Sequence, residues 1–400
     1  MREPNRINHI EISEKHRKLR WILVVALLVI GIFGIGVGLM RILNRDTGWQ
    51  QVEVATDQSN CSSQFVLQYQ FSGSGAEATA LYKKISAVYT DACIKAYEVF
   101  QVDVPSDAYE NLYDINHNVN TVLSVDPLLY DAFVKLEDTR YLYLGPIYAH
   151  YNSLIFNTSD ELVEELDPAL SQDAKDYITA LAAFAADETA VQLQLLDDYQ
   201  VKLVVSQEYL AFAQEHEIEN FLDLRYMENA FIIDYLAQCL EEKGFTRAVL
   251  SSCDGYTRNL ESLEYFNFNI FDRVENTIYP AGVMAYQGPI AMVYLKDYQM
   301  AQSDAYYRQS GDHLVHTLVD PADGFYRTSA NQLVSYQYDG KCVDVLLAML
   351  PGFVSRDFCL PADVESIWCQ DGRIFYTDAK ITIGNLLNTE DAQYTAELKN

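Results

Sequence analysis

The sequence predicts an α+β protein: one large mixed α/β ectodomain held behind a single N-terminal transmembrane helix. Three observations predict it. Trp21 to Met40 is an apolar run without a charge. Tyr226 to Lys243 carries apolar side chains at helical spacing and is followed by a short buried-strand pattern, Arg247 to Ser251. Ile367 to Tyr376 reads as a hairpin turning at Asp371-Gly372, a dipeptide suited to two-residue turns.

The apolar run would reach about 30 Å as a helix, the thickness of a bilayer's hydrocarbon. Six bases (Arg2, Arg6, Lys15, Arg17, Lys18, Arg20) precede it, and Arg41 and Arg45 follow. That bias predicts a single pass with the N-terminus inside. A cleaved signal peptide is the competing reading, but the run is long for one, lacks a small-x-small site after it and meets Arg41 at once. The chain accordingly divides into a cytoplasmic tail (1–20), an anchor (21–43), a linker (44–63), the main domain (64–390) and a C-terminal tail (391–400). Gly34 and Gly38 form a small-xxx-small pair through which two anchors could pack as a homodimer.

Charge follows the same division. Residues 1–45 hold eight of the 28 bases and three of the 57 acids, so residues 46–400 carry 20 bases and 54 acids, a net −34. Such a surface repels phosphate backbones, and no nucleic-acid partner is expected.

Within the ectodomain, Val201 to Ser206 reads as a second strand. Phe231, Ile232, Tyr235, Leu236, Cys239 and Leu240 form the apolar face of the 226–243 helix, with Gly244 as its C-cap. Lys341 to Leu350 predicts a helix after the Asp339-Gly340 loop, stopped by Pro351-Gly352 and carrying Asp344 in its first turn. The seven cysteines form no C-x-x-C pair and no zinc spacing. Buried free thiols are the favoured reading, with Cys359 and Cys369 the candidates for a disulfide because they are close in sequence. The chain has no H-E-x-x-H, no G-x-x-x-x-G-K-[ST], no G-x-G-x-x-G and no G-x-S-x-G. Gly73-Ser74-Gly75 reads as a turn. The 29 tyrosines offer rings for stacking, although filling of core and surface is their commoner use.

Read in order, several short segments resemble the ApbE-type flavin transferases (FAD:protein FMN transferases). Asn111 to Asn116 (NLYDIN) resembles an early S-D-x-x-x-x-N element. Leu222 to Asp234 (LDLRYMENAFIID) stands where the family has D-L-G-A-x-A-K-G-Y-x-x-D, with the same interval from Asp223 to Asp234. Ala248 to Asp254 is similar to a strand ending G-G-D, His316 to Gly324 to H-I-I-D-P-x-T-G, and Val343-Asp344 with Ala348 to A-D-x-x-x-T. The ordered match spans Phe65 to Leu387.

The resemblance implies an extracytoplasmic enzyme at a bacterial cytoplasmic membrane that moves FMN from FAD to a threonine of an acceptor flavoprotein with Mg²⁺. It implies roles by position: Asp344 and the Tyr226 carbonyl for the metal, Asp223, Asn229 and Asp254 toward the nucleotide, and His316 and Asp320 in catalysis. Hard oxygen ligands are what Mg²⁺ prefers, and a cation there would neutralise the phosphates. The chain also departs from the pattern. Ala348 replaces the metal-binding threonine; Arg225, Asn229 and Ala230 replace Gly, Lys and Gly; Ser252-Cys253 replaces the glycine pair. Thr317 stands where the histidine is expected, with His316 one position early, and Tyr148 stands where an earlier element has an aspartate. Three functions follow: an active transferase, a catalytically inactive relative that binds FAD or a membrane flavoprotein without turnover, or a structural module that keeps only the fold.

Overall fold

A computed structural model of the chain describes residues 47–136, 140–156, 159–300, 306–311 and 313–399. The predicted tail, anchor and Gly34/Gly38 pair lie outside them. Among the described residues no helix is long and apolar enough to cross a membrane.

The described residues fall into two units, 47–50 with 70–84, and 51–69 with those from 85 to 399. In the smaller unit, Ser74 and Glu77 close the N-terminus of the helix Gly75–Phe100 reciprocally: the Ser74 N–H and hydroxyl both donate to Glu77 Oε2, at 2.8 and 2.9 Å. Phe71 and Tyr82 pack there with ring centroids 5.9 Å apart.

The larger unit is built on an antiparallel sheet. Its strands run in the order Phe65–Phe71, Ala248–Ser252, Tyr256–Asn259, Ile290–Lys296, Gln332–Tyr338, Glu365–Gln370, Arg373–Tyr376 and Thr395–Leu398, with only the last pair parallel. One face packs on a second sheet of Tyr265–Val274, Thr277–Gln287 and Thr382–Gly384. Ile270, Met284, Met292, Val334 and Ile374 interdigitate in the dry layer between them. Against strands of the main sheet lie two helices, Glu228–Glu242 and Cys342–Phe353, which also pack on each other. A smaller sheet (Val122–Ser124, Gln200–Val205, Val191–Leu196) belongs to the helical stretch earlier in the chain.

Local chemistry explains the ends of these elements. The helix Glu228–Glu242 stops where Gly244 takes φ +73°; the Phe245 N–H donates to the Leu240 carbonyl and the Gly244 N–H to that of Glu241, each at 2.9 Å. The hairpin turns with Asp371 at φ +51° and Gly372 at +72°, both in the left-handed region that a type I′ turn requires. The helix Cys342–Phe353 has no capping side chain of its own at Lys341. Asp234 caps it from the neighbouring helix, accepting the N–H groups of Cys342 and Val343 at 2.9 and 3.0 Å while pairing with Arg258 at 2.5 Å.

Several expectations are corrected. The predicted linker 44–63 contains the strand Gly48–Val52, and the predicted C-terminal tail contributes Thr395–Leu398 to the sheet edge. The helix does not end before Pro351 but continues to Phe353, since a proline in the last turn removes one hydrogen bond without blocking the residues behind it. Cys359 is exposed and Cys369 is buried, where its sulfur accepts from Gln332 Nε2 at 3.2 Å, so the two are not a pair.

Candidate functional site

Where the helical layer meets the main sheet, a cavity of about 510 Å³ opens, within the roughly 300–1,000 Å³ typical of small-molecule sites. Seven tyrosines line it, along with Leu346 and Leu350 on successive turns of the helix Cys342–Phe353. Among its described lining residues the only acid is Asp254 and the only cation Lys296, whose ammonium sits 4.9 Å from the centre of the Tyr307 ring.

The aromatic wall is assembled from separate segments. Tyr148 comes from the helix Gly145–Phe156, whose first residue approaches the chain closely: a Cβ on Gly145 would lie 2.6 Å from the Asn220 carbonyl oxygen. Its ring meets Tyr226 edge to face, with centroids 4.6 Å apart, and Tyr226 meets Tyr306 in the same manner at 6.0 Å. The Tyr226 hydroxyl donates to Asn152 Oδ1 at 3.1 Å, and its carbonyl accepts the Tyr256 hydroxyl at 2.8 Å. Burial pushes the phenols of Tyr148, Tyr226 and Tyr256 well above the usual tyrosine range, so all three present neutral O–H groups.

The polar corner forms around Asp254. Ser252 Oγ donates to Asp254 Oδ1 at 2.5 Å, and Asn229 Nδ2 donates to Asp254 Oδ2 at 2.9 Å and to Gln64 Oε1 at 2.7 Å. Asn229 Oδ1 is buried and has no partner among the described residues. Gly255 follows at φ +105°, where a Cβ would lie 2.3 Å from the Tyr294 carbonyl oxygen; only glycine permits that close turn. Burial raises the Asp254 carboxyl above its ordinary value. Nearby, Glu228 is pushed up to about 8, by burial first and then by the Asp223 charge.

The structure brings some of the expected site residues together and separates others. Asn229, Asp254 and Tyr226 meet at the cavity. Asp223 is buried beside Arg225, whose N–H donates to Asp223 Oδ1 at 2.8 Å, and burial lifts its carboxyl to about 6. Asn116 anchors that segment, accepting the N–H groups of Phe221 and Leu222 at 3.0 and 2.9 Å and donating to the Leu222 carbonyl at 2.9 Å. Thr317, Leu318 and Val319 line the cavity. His316 instead packs on the Tyr307 and Tyr326 rings and accepts the Leu318 N–H at Nδ1. Burial lowers its pKa to about 4, which keeps it neutral. Asp320 shapes a turn, accepting the Ala322 N–H at 2.9 Å and pairing with Arg327 at 2.7 Å. Asp344 is half exposed, its Oδ1 2.6 Å from the Lys135 ammonium.

The sequence reading gave no role to Gln64, Tyr256 or Lys296. The available signal was the abundance of tyrosine, which by itself does not separate a binding wall from packing.

The arrangement of sheets and helices is that of a flavin-transferase fold. No family model matches the sequence, and no curated protein matches it. Among solved structures, the ApbE protein of Thermotoga maritima matches with a TM-score of 0.51 at 11% identity, covering 81% of this chain and 94% of that one. The flavin transferase ApbE of Vibrio cholerae matches with a TM-score of 0.51 at 9% identity, covering 85% of this chain and 98% of that one. At these identities the likeness is one of fold.

The residues at the expected metal position do not fit Mg²⁺. Asp344 is engaged by an ammonium, the Tyr226 carbonyl by a phenol, and Ala348 offers no oxygen. Among the described residues no group of three His, Cys, Asp or Glu side chains could hold a metal ion. A flavin or adenine ring suits the cavity better, since neutral phenols supply aromatic faces without demanding charge on the ligand.

Proposed function

We propose that this chain binds FAD in the tyrosine-lined cavity as a membrane-anchored relative of the FAD:protein FMN transferases, and that it lacks their metal-dependent transfer step. One observation carries the proposal: Ala348 offers no oxygen where the resemblance assigns a metal-binding threonine, while the Tyr226 carbonyl already accepts the Tyr256 hydroxyl. Asp344, the other assigned ligand, pairs with the Lys135 ammonium through Oδ1. The extracytoplasmic location draws its support from the apolar run at 21–40 and the acidic residues beyond it.

The fold itself favours the other reading, an active enzyme that moves FMN from FAD to a threonine of an acceptor flavoprotein with Mg²⁺. Under it Asp344 and Tyr226 would hold the metal, Asp223, Asn229 and Asp254 the nucleotide, and His316 and Asp320 would act in catalysis. A neutral His316 would be the base, yet its Nδ1 already accepts the Leu318 N–H.

One experiment separates the two. The full chain in detergent is titrated with FAD while flavin fluorescence is followed, then incubated with FAD, Mg²⁺ and a threonine-bearing acceptor whose mass is measured. Saturable binding without a mass gain is the expected result. An FMN-sized gain on the acceptor would establish the transferase instead, and absence of FAD binding would remove both readings.

A further inference from the structure

We propose that Cys61 and Cys93 form a disulfide in the folded protein, a covalent clasp between the segment that enters the larger unit and the long helix Gly75–Phe100. The Cys61 N–H donates to the Cys93 carbonyl at 3.3 Å. Such a contact places the two Cα atoms near the roughly 4.4–6.8 Å that a disulfide spans. The Cys93 side chain also acts directly on the Cys61 thiol, raising it. Both residues are buried, Cys61 at 4% exposure and Cys93 at 0%, so no competing thiol of the solvent reaches them once the chain has folded. The other buried cysteines have different neighbours: the Cys342 thiol donates to the Thr257 carbonyl at 3.3 Å, and Cys369 accepts from Gln332.

The oxidant is a disulfide donor of the thiol–disulfide exchange class, which the compartment outside a bacterial membrane supplies. The thiolate of one cysteine attacks a sulfur of the donor, forming a mixed disulfide and expelling one donor thiolate. The second cysteine, as thiolate, attacks the protein sulfur of the mixed disulfide and expels the other. Two electrons pass to the donor, which leaves as two thiols carrying the two protons. The attacking species must be a thiolate. Burial and the neighbouring Cys93 raise the Cys61 thiol far above its ordinary value, so the exchange takes place while the chain is folding, before the site closes.

The clasp bears on the cavity. Three residues beyond Cys61, Gln64 accepts Asn229 Nδ2 through its side chain and the Cys253 N–H through its carbonyl, the latter at 2.9 Å. Fixing residue 61 therefore fixes one wall of the polar corner.

The test is peptide mapping of the full chain, isolated without reductant, denatured, alkylated with iodoacetamide and digested. The expected finding is a Cys61–Cys93 peptide pair about 2 Da lighter than the two thiol peptides together, lost on reduction. Cys61→Ser and Cys93→Ser should each melt several degrees below the non-reduced chain and together with the reduced one. Full alkylation of both cysteines without reduction, or linkage of either to a different cysteine, would overturn the proposal. The mapping needs no variant, so poor folding of a serine variant leaves the outcome readable.

Discussion

Replacing Asp234 with alanine tests how the cavity's helix is held. The carboxylate is 8% exposed, pairs with Arg258 at 2.5 Å and accepts two N–H groups at the start of the helix Cys342–Phe353. Breaking a buried pair by removing one partner costs about 3–5 kcal/mol. Orphaning the helix's first donors adds about 1 kcal/mol. Glu241, 3.6 Å from Arg258 but 45% exposed, can recover a part of the pairing, so a net loss of about 4 kcal/mol is expected. Asp234→Asn keeps an acceptor for one N–H group and should lose about half as much. Burial raises the Asp234 carboxyl despite Arg258, so the pair is a poor net source of stability even though breaking it is costly. Asp234→Leu with Arg258→Met should accordingly recover most of the loss. Urea unfolding followed by circular dichroism compares the three variants with the native chain. A loss below about 1 kcal/mol for Asp234→Ala, or a double variant no better than the single one, would refute the reasoning.

His316 titrates at about 4 when folded, below the 6.5 of a free histidine, so the unfolded chain binds the extra proton in that window and stability falls as pH drops from about 6.5 to about 4. The stability difference between the native chain and His316→Gln should shift by about 3 kcal/mol between pH 7.5 and pH 4; a constant difference would show that burial does not hold His316 neutral. Glu228 acts in the opposite sense: its folded value of about 8 against 4.5 unfolded means stability is lost as pH rises through that interval. Glu228→Gln should therefore gain on the native chain by about 2–5 kcal/mol from pH 5 to pH 8.5, as read from denaturation midpoints, and no gain would contradict a buried acid there. The triple variant Lys135→Ala, Ala348→Thr, Tyr256→Phe frees or restores the three oxygens at the expected metal position. Its melting temperature should rise with millimolar Mg²⁺ while that of the native chain stays level, and a Mg²⁺ response in the native chain would reverse the fit argument.

Legibility in the sequence followed the range of the interaction. The helix ending at Gly244 and the Asp371-Gly372 turn are settled by neighbours along the chain, and periodicity and glycine reveal them. Thr395–Leu398 is an edge strand exposed at three of its four positions, so it lacks the apolar alternation that marks a strand. The order of short segments carried the fold, because Asn116 and Asp234 each fasten two of them together. Occupation of the metal position could not be read in that way. Lys135 and Asp344 are 209 residues apart, and Tyr226 and Tyr256 are 30 apart; a spacing pattern names the residue at a position but not the group that has moved in against it.

The acidic charge of residues 46–400 bears on which part of FAD the proposed site would recognise. Their 54 acids disfavour phosphate everywhere except where cations gather, and the described lining of the cavity offers Lys296 as its one cation and Asp254 as its one acid. Recognition must then come from the neutral tyrosine wall acting on the ring. Edge-to-face and stacked aromatic pairs contribute about 0.5–1.5 kcal/mol each beyond their buried area, so two or three of them outweigh a single partly solvated phosphate contact of about 1 kcal/mol. Riboflavin should bind within about tenfold of FAD, and Tyr226→Ala should weaken both alike by about tenfold or more. Lys296→Ala should weaken FAD and leave riboflavin nearly unchanged. Fluorescence titration with the two ligands decides the matter: riboflavin binding a thousandfold more weakly than FAD would place the affinity in the phosphates, and the tyrosine wall would then be packing.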